Sequence, residues 1–338
     1  MANEGPDQGS ITADDVAALA GVSRWTVNRA FKKGASISEK SRAKVAAAAK
    51  QLGYVPDLLA SSLASDRSNL IALLIDDFAN PHKLVMMEGL TRALRQAGWD
   101  TLLVNTISQA DTSAAILQAS RRRVDAAVLI GSGFTDQAIA TARDAYRVRK
   151  LIVFARYSPD PFTISICCDD VSALVAITNH VADRGYRRPL FVAGPQTPSA
   201  HLKRQETFLG QWQKICATKA RMTVANTYDP RKAYEHIKGW FADAGKGPRP
   251  DVLVCENDSI AMAALDVVRH ELGLRVPQDI AVIGFDDVPQ AANPNYRLST
   301  YSQPIRAMAS ALVSVLEGHA PTADLTKFQG QLMIRDST

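Results

Sequence analysis

The sequence predicts a multidomain protein: an N-terminal all-α domain of helix-turn-helix type, then a larger α/β core of two doubly wound halves. Three observations carry this. Residues 11–56 read as short amphipathic helices joined by tight connections. From Leu70 onward, short apolar runs alternate with helical patterns, the signature of a parallel sheet with crossover helices. The charge is uneven: the net is +5, but residues 23–50 hold eight Lys or Arg against one Glu, a local +7 that leaves the other 310 residues at −2. A polyanionic partner for the first domain is the direct reading.

In the first domain, Val16, Leu19 and Ala20 recur at helical spacing, and Gly21 supplies the left-handed stop that a helix end favours. Val22 is a turn residue and Ser23 a natural N-cap, so a second helix begins three residues after the first stops, which is helix-turn-helix spacing. Val27, Ala30 and Phe31 share its inner stripe, leaving Arg24, Trp25, Asn28 and Arg29 as an outward patch. The chemistry suits base edges in a major groove, because Arg matches guanine O6 and N7 and Asn matches adenine N6 and N7. A third helix, opened by Ser38 and stopped by Gly53, turns Val45, Ala49 and Leu52 inward and leaves Lys40, Arg42, Lys44 and Lys50 for phosphates. The Ser- and Ala-rich stretch Asp57–Asn69 is either a linker or a short helix, too short to persist alone in water.

In the core, strands are expected at Leu70–Ile75, Thr101–Val104, Ala126–Ile130 and Leu151–Ala155, then at Pro189–Ala193, Asp251–Cys255 and Ile280–Gly284. Helical patterns cover Leu84–Ala97, Ser172–Asp183 and Ile260–Glu271. Ligands of open α/β sheets gather at the carboxyl ends of strands, where Asp76, Arg156, Asn257 and Asp286 fall.

Several function classes are excluded. The polar, acidic start MANEGPDQGS is unlike a secretory signal, and the apolar runs are far below the roughly 18 residues that cross a bilayer. The cysteines Cys167, Cys168, Cys216 and Cys255 have no metal-ligand spacing, so reduced thiols in a cytoplasm are expected, with no metal or cofactor. There is no Walker motif, dinucleotide fingerprint, nucleophile elbow or H-E-x-x-H pair, and an enzyme is not expected.

The run ITADDVAALAGVSRWTVNRAFKKGASISEKSRAKVAAAAKQLGYVPDLLASSL, with its landmarks DVAALAGVS, TVNRAF and LGYVPDLLASSL, resembles the N-terminal domain of the LacI family of bacterial repressors. Asn28 and Asp57 depart from the family's usual Ser and Asn. The stretches VLVCENDSIAMAAL at 252–265, DIAVIGFDD at 279–287 and LSTYSQP at 298–304 extend the resemblance to the family's periplasmic-binding-protein-like core. It implies a sequence-specific transcription regulator, a repressor acting as a homodimer on palindromic double-stranded operator DNA, controlled by a small-molecule effector in a cleft between two subdomains. The absence of a leucine-heptad tail after the last core strand argues against a tetramer.

The implied organisation is a tail at 1–10, the reading domain at 11–56, and a hinge at 57–68. Then come a first subdomain at 69–166 plus about 298–324 and a second at 167–297 plus about 325–338. The implied DNA contacts are Ser23, Arg24, Trp25, Thr26, Asn28 and Arg29 on the reading helix, and Ala60 and Leu63 in the hinge, with Leu63 wedged into the minor groove. The implied effector contacts are Asp76, Arg156, Arg204, Asn257 and Asp286, a donor and acceptor set suited to a sugar or polyol. Arg204 stands in RQETF where the family has R-x-x-G-F, and Asn80-Pro81-His82-Lys83 replaces N-P-F-F or N-P-F-Y, removing an aromatic wall. Structural alternatives stand beside these: Asp258 as a helix cap, Asp287 and Arg156 as a pair across the subdomains, and Trp212 and Trp240 as core rather than sugar-stacking residues.

Overall fold

The computed structural model describes residues 11–32, 35–55, 67–106, 109–132, 136–144, 148–196, 202–243, 247–321 and 324–338. The chain divides into two compact units between Ser68 and Asn69.

Among the described residues, the first unit has three helices. Helix α1 (Ala13–Ala20) opens on a capping box between Thr12 and Asp15 and ends on Gly21 at φ 65°. Helix α2 (Arg24–Phe31) is capped by Ser23, whose hydroxyl accepts from the Thr26 amide at 3.2 Å. Helix α3 (Glu39–Leu52) is capped by Ser38 and stopped by Gly53 at φ 67°. The core they share is small: Val16, Ala17, Ala20, Val27, Ala30, Val45, Ala48 and Ala49, with Leu52 packed at its edge. Alanines dominate because the helices approach closely, and this corrects two expectations. Ala17 takes the inward position expected of Leu19, which is 47% exposed. Phe31 is also largely exposed and rests its ring against Tyr54, 5.9 Å between centroids. A third correction concerns Arg42, which does not reach out for phosphate: it donates to the carbonyls of Ala30 (2.7 Å) and Ala35 (3.1 Å). The carbonyls at a helix end lack intrahelical partners, and Arg42 satisfies that of Ala30 in the last turn of α2 while tying down the following loop at Ala35.

The second unit contains two parallel sheets. The first has the order β2-β1-β3-β4-β5, from β1 (Leu70–Ile75), β2 (Asp100–Asn105), β3 (Ala126–Ile130), β4 (Leu151–Phe154) and β5 (Thr163–Ile166). Helices α4 (His82–Gln96), α5 (Gln109–Arg121) and α6 (Asp136–Asp144) connect its strands. The chain then crosses to the second half, where α7 (Asp170–Asp183) leads into β6 (Pro189–Ala193), followed by α8 (Arg204–Cys216) and β7 (Arg221–Val224). Helix α9 (Pro230–Ala242), β8 (Val252–Cys255), α10 (Asp258–Asp266) and β9 (Ala281–Ile283) complete a sheet of order β7-β6-β8-β9. The helix expected over Ile260–Glu271 is α10 followed by a π-helical turn at Val267–Glu271. β5 and β7 escaped sequence reading because they are edge strands of alternating polar and apolar residues, TISI and RMTV, rather than apolar runs.

The return to the first half falls later than the sequence placed it. β10 (Thr300–Ser302) lies beside the second sheet, with bridges from Ile283 to Ser299 and from Asp286 to Ser302, and Tyr301 stacks on Phe285 at 5.2 Å. The crossing is at Gln303–Pro304, after which α11 (Ile305–Glu317) buries Met308, Ala309 and Leu312 against β1 and α4. Phe328 still packs on the first half, and the short β11 (Gln331–Met333) pairs antiparallel with β10. Trp212 is fully buried beside Phe208, and Trp240 packs under α10, so both serve the core. Cys167, Cys168 and Cys255 are buried free thiols, and burial pushes those of Cys167 and Cys168 up to about 12, far from reactivity.

Candidate functional site

Helix α2 presents one candidate surface. Trp25 is 65% exposed, a large cost in apolar surface on an eight-residue helix, and Asn28 beside it is also exposed. Arg24 reaches Asp14 at 3.1 Å, with both side chains about 60% exposed, so water screens the pair and leaves Arg24 available. Arg29 is half-buried: it stacks on the Trp25 ring, 4.4 Å to the centroid, and donates Nε and Nη2 to the Ser36 carbonyl at 3.1 and 2.8 Å. The guanidinium is therefore held in place before any partner arrives. Ser23 is exposed and caps the helix, and Thr26 bonds to it through its amide and hydroxyl. Ala60 and Leu63 lie outside the described residues.

The second candidate site is a polar cleft in the larger unit. Parallel strands place all their carboxyl ends on one side, so the loops after β1, β4, β7, β8 and β9 converge there. Asn80, His82 and Lys83 at the start of α4, with Arg156 after β4, come from the first half. Arg204, Tyr228, Asn257 and Asp286 come from the second, and Gln303 lies on the crossing itself. These side chains leave about 40 Å³ of free space between them, room for roughly one water. A sugar-sized molecule therefore enters only as side chains move or the halves part.

Two hydrogen-bonded chains stitch the halves. Arg156 Nη2 donates to the Tyr228 hydroxyl at 2.9 Å, and that hydroxyl donates to Glu256 Oε1. Gln303 Nε2 donates to Asp286 Oδ1 at 2.7 Å and lies 3.2 Å from His82 Nε2. Burial lowers the His82 pKa, with Asp286 opposing, so the ring is neutral, accepts at Nε2 and carries its proton on Nδ1. That Nδ1 and Gln303 Oε1 are buried without partners among the described residues, one donor and one acceptor free to meet a ligand. Arg204 is the electrostatic centre. It lies 3.6 Å over the Phe285 ring, donates to Asp170 Oδ1 (3.0 Å) and the Glu256 carbonyl (2.8 Å), and stands 3.8 Å from Asp286. Burial alone would lower its pKa, but Asp170 and then Asp286 outweigh it. Burial raises the Glu256 and Tyr228 pKa values.

Of the five residues singled out for this cleft, Arg156, Arg204, Asn257 and Asp286 line it. Asn257 also caps α10, accepting from the Ile260 amide. Asp76 stands just behind, accepting from Lys83 Nζ (3.1 Å) and the Ser132 amide (2.6 Å), so it orients a lining lysine. Two alternatives resolve differently from expectation. Asp258 is not the cap; its carboxylate, buried and with its pKa raised chiefly by burial, accepts from Thr300 Oγ1 (2.6 Å) and the Val288 amide (2.9 Å). Asp287 pairs with Arg335 at 2.7 Å rather than with Arg156. Asp258 thereby fixes the loop that carries Asp286 at φ 120° and Asp287 at φ 54°, a backbone that side chains rarely adopt. Tyr228, His82, Lys83 and Gln303 were not singled out. Tyr228 follows β7, and recognising that strand would have drawn it in by the same carboxyl-end rule.

Residues 12–57 match the profile of bacterial regulatory proteins, lacI family, and residues 178–338 match that of a periplasmic binding protein-like domain. The sucrose operon repressor of Escherichia coli is 29% identical over 279 residues, spanning 81% of this chain and 83% of that protein. The HTH-type transcriptional repressor PurR of Serratia proteamaculans is 27% identical over 307 residues, 90% of this chain and 89% of its own length. Among solved structures, a Lac repressor dimer bound to operator and the anti-inducer ONPF superposes with a TM-score of 0.82 at 21% identity, covering 97% of this chain and 99% of that one. A complex of the regulator CelR with cellobiose gives 0.68 at 25% identity, covering 97% and 100%.

Proposed function

We propose that the chain is a member of the lacI family of bacterial regulatory proteins and acts as a homodimeric, sequence-specific repressor whose grip on a two-fold operator is set by a small molecule in the cleft. The observation that carries this is the cleft itself: Arg156 of one half is bonded to Tyr228 of the other, and Gln303 ties His82 to Asp286 across the crossing. A molecule that competes for these groups changes the relative position of the halves. A ligand shifts DNA affinity only by binding two arrangements of the core unequally, and this cleft is where such a difference arises.

In the reading domain, Arg24, Trp25, Asn28 and Arg29 meet base edges, Ser23 and Thr26 lie beside the backbone at the helix start, and Ala60 and Leu63 contact the minor groove. In the core, Asp286 and Asn257 accept from ligand hydroxyls while Arg156 and Arg204 donate, a set matched to a sugar or polyol. The protein acts in the cytoplasm and catalyses no reaction. Its named relatives include a sucrose operon repressor and a regulator solved with cellobiose, which supports testing saccharides first. The test is a thermal-shift screen of sugars and polyols, followed by binding to a duplex selected from a random pool, with and without each hit. A hit that raises the melting temperature and changes duplex affinity in either direction supports the reading. Failure to enrich any sequence, or turnover of a hit, overturns it.

A further inference from the structure

We propose that the arginine run Arg121-Arg122-Arg123, at the edge of the first sheet where the chain enters the core, is a second, sequence-independent DNA contact that grips phosphates flanking the operator. The proposal rests on the reading of the chain as a DNA-binding repressor.

Parallel strands joined by crossover helices put strand amino ends and helix carboxyl ends on one side of the sheet, opposite the cleft. Arg121 closes α5 there, and Arg121, Arg122 and Arg123 are all exposed, with no acidic partner among the described residues. Asn69, the first core residue, is fixed at the same place: its amide donates to Asp125 Oδ2 at 2.9 Å and its carbonyl accepts from the Asp100 amide at 2.8 Å. The connection to the reading domain, residues 56–68, thus ends within two residues' contact of the run. The chain that carries the reading domain therefore enters the core beside this run, and the run offers the exposed positive charge that a phosphate backbone attracts.

The surroundings reinforce the charge. Arg95, Arg143 and Arg149 are exposed at the same end of the sheet, where α4 and α6 finish and β4 begins. Against them stand Asp100, Asp125, Asp144 and Glu317, and the Asp125 carboxylate is already occupied by the Asn69 amide. Arginines at helix ends also complement the helix dipole, but that effect fades beyond the last turn and does not account for Arg123. Arg123 sits at φ 57°, the left-handed position after a helix that glycine or asparagine normally fills.

The experiment uses the full chain and two duplexes carrying the same selected operator. One ends at the half-sites and one extends about 15 base pairs beyond each. Affinities are measured across a salt series for the parent, for the triple variant Arg121→Ser/Arg122→Ser/Arg123→Ser, and for Arg123→Gly. The parent should show a steeper salt dependence on the long duplex than on the short one, and the triple variant should lose that difference. Each lost phosphate contact lowers the slope of log K against log salt by about 0.9, up to about 3 per protomer. The loss should be the same factor on a long non-operator duplex. Arg123→Gly should melt higher than the parent while lowering the slope by about 0.9. Unchanged slopes on the long duplex overturn the proposal, as does an equal loss on both lengths, which assigns the run to folding or dimer assembly. Parent binding to anionic vesicles that the triple variant loses, with DNA binding intact, overturns it in favour of a membrane surface. If the parent binds no duplex at all, the failure is that of the repressor reading instead.

Discussion

Removing the positive centre of the cleft gives the sharpest measure of how it is held together. In Arg204→Met the side chain keeps its reach over Phe285 but abandons the carboxylates of Asp170 and Asp286, whose side chains are 12% and 4% exposed. Asp286 keeps the Gln303 amide and Asp170 keeps the Lys203 amide at 3.3 Å, yet neither retains a cation within ion-pair distance among the described residues. Breaking a buried pair from one side costs about 3–5 kcal/mol, because a charge is left without compensation. The core unit spans Asn69–Thr338, 270 residues, and an unfolding entropy of about 2.1 cal/mol/K per residue gives about 0.57 kcal/mol/K, so its melting temperature should fall by about 5–9 °C at pH 7.5. Calorimetry of both proteins at pH 7.5 measures this. A loss under 1 °C would refute the account of Arg204 as the compensating charge.

Arg29→Ala should weaken operator binding by about 1–3 kcal/mol and relax base preference; fluorescence anisotropy on the selected duplex and its point variants reads both, and unaltered selectivity would remove Arg29 from the reading surface. Gly131→Ala places a Cβ 1.7 Å from Asp76 Oδ1 at a backbone φ of 153°, so Asp76 must leave Lys83 and the Ser132 amide. Ligand response should be lost in that variant while operator binding survives, and an intact response would show that Asp76 does not order the cleft. Because the buried His82 has its folded pKa lowered below 6.5, its contribution to stability is complete above that value and lost as pH falls through it. His82→Gln should therefore flatten the parent's acid sensitivity below about pH 6.5; identical pH profiles of denaturant unfolding would contradict a buried neutral ring.

The sequence announced those parts of the fold that local chemistry dictates. Thr12, Ser23 and Ser38 are caps, Gly21 and Gly53 are left-handed stops, and Leu70–Ile75 and Pro189–Ala193 are strands whose burial on both faces makes them continuous apolar runs. What stayed hidden depends on tertiary position. β5 and β7 are short edge strands that mix polar with apolar residues, and β10 joined the second half because its hydrogen bonds run beside β9, a fact no residue type encodes. In the cleft, residues carried by recognisable strand-end motifs could be named. His82 and Lys83 looked like a missing aromatic wall, and only their burial beside Asp286 and Asp76 reveals them as a polar replacement. Leu19 and Arg42 were misplaced for one reason: in a domain of three short helices, an alanine interface decides which side chains turn inward and which are drawn to helix ends.

Strand β1, six residues long, joins Asn69, where the chain enters the core, to Asp76 just behind the cleft. The two ends of that sheet therefore answer to different demands while sharing one rigid layer. Loops at the carboxyl ends can be rewritten for another metabolite without disturbing the residues that anchor the tether. Changes at the amino ends, one strand length away, leave what the cleft accepts untouched.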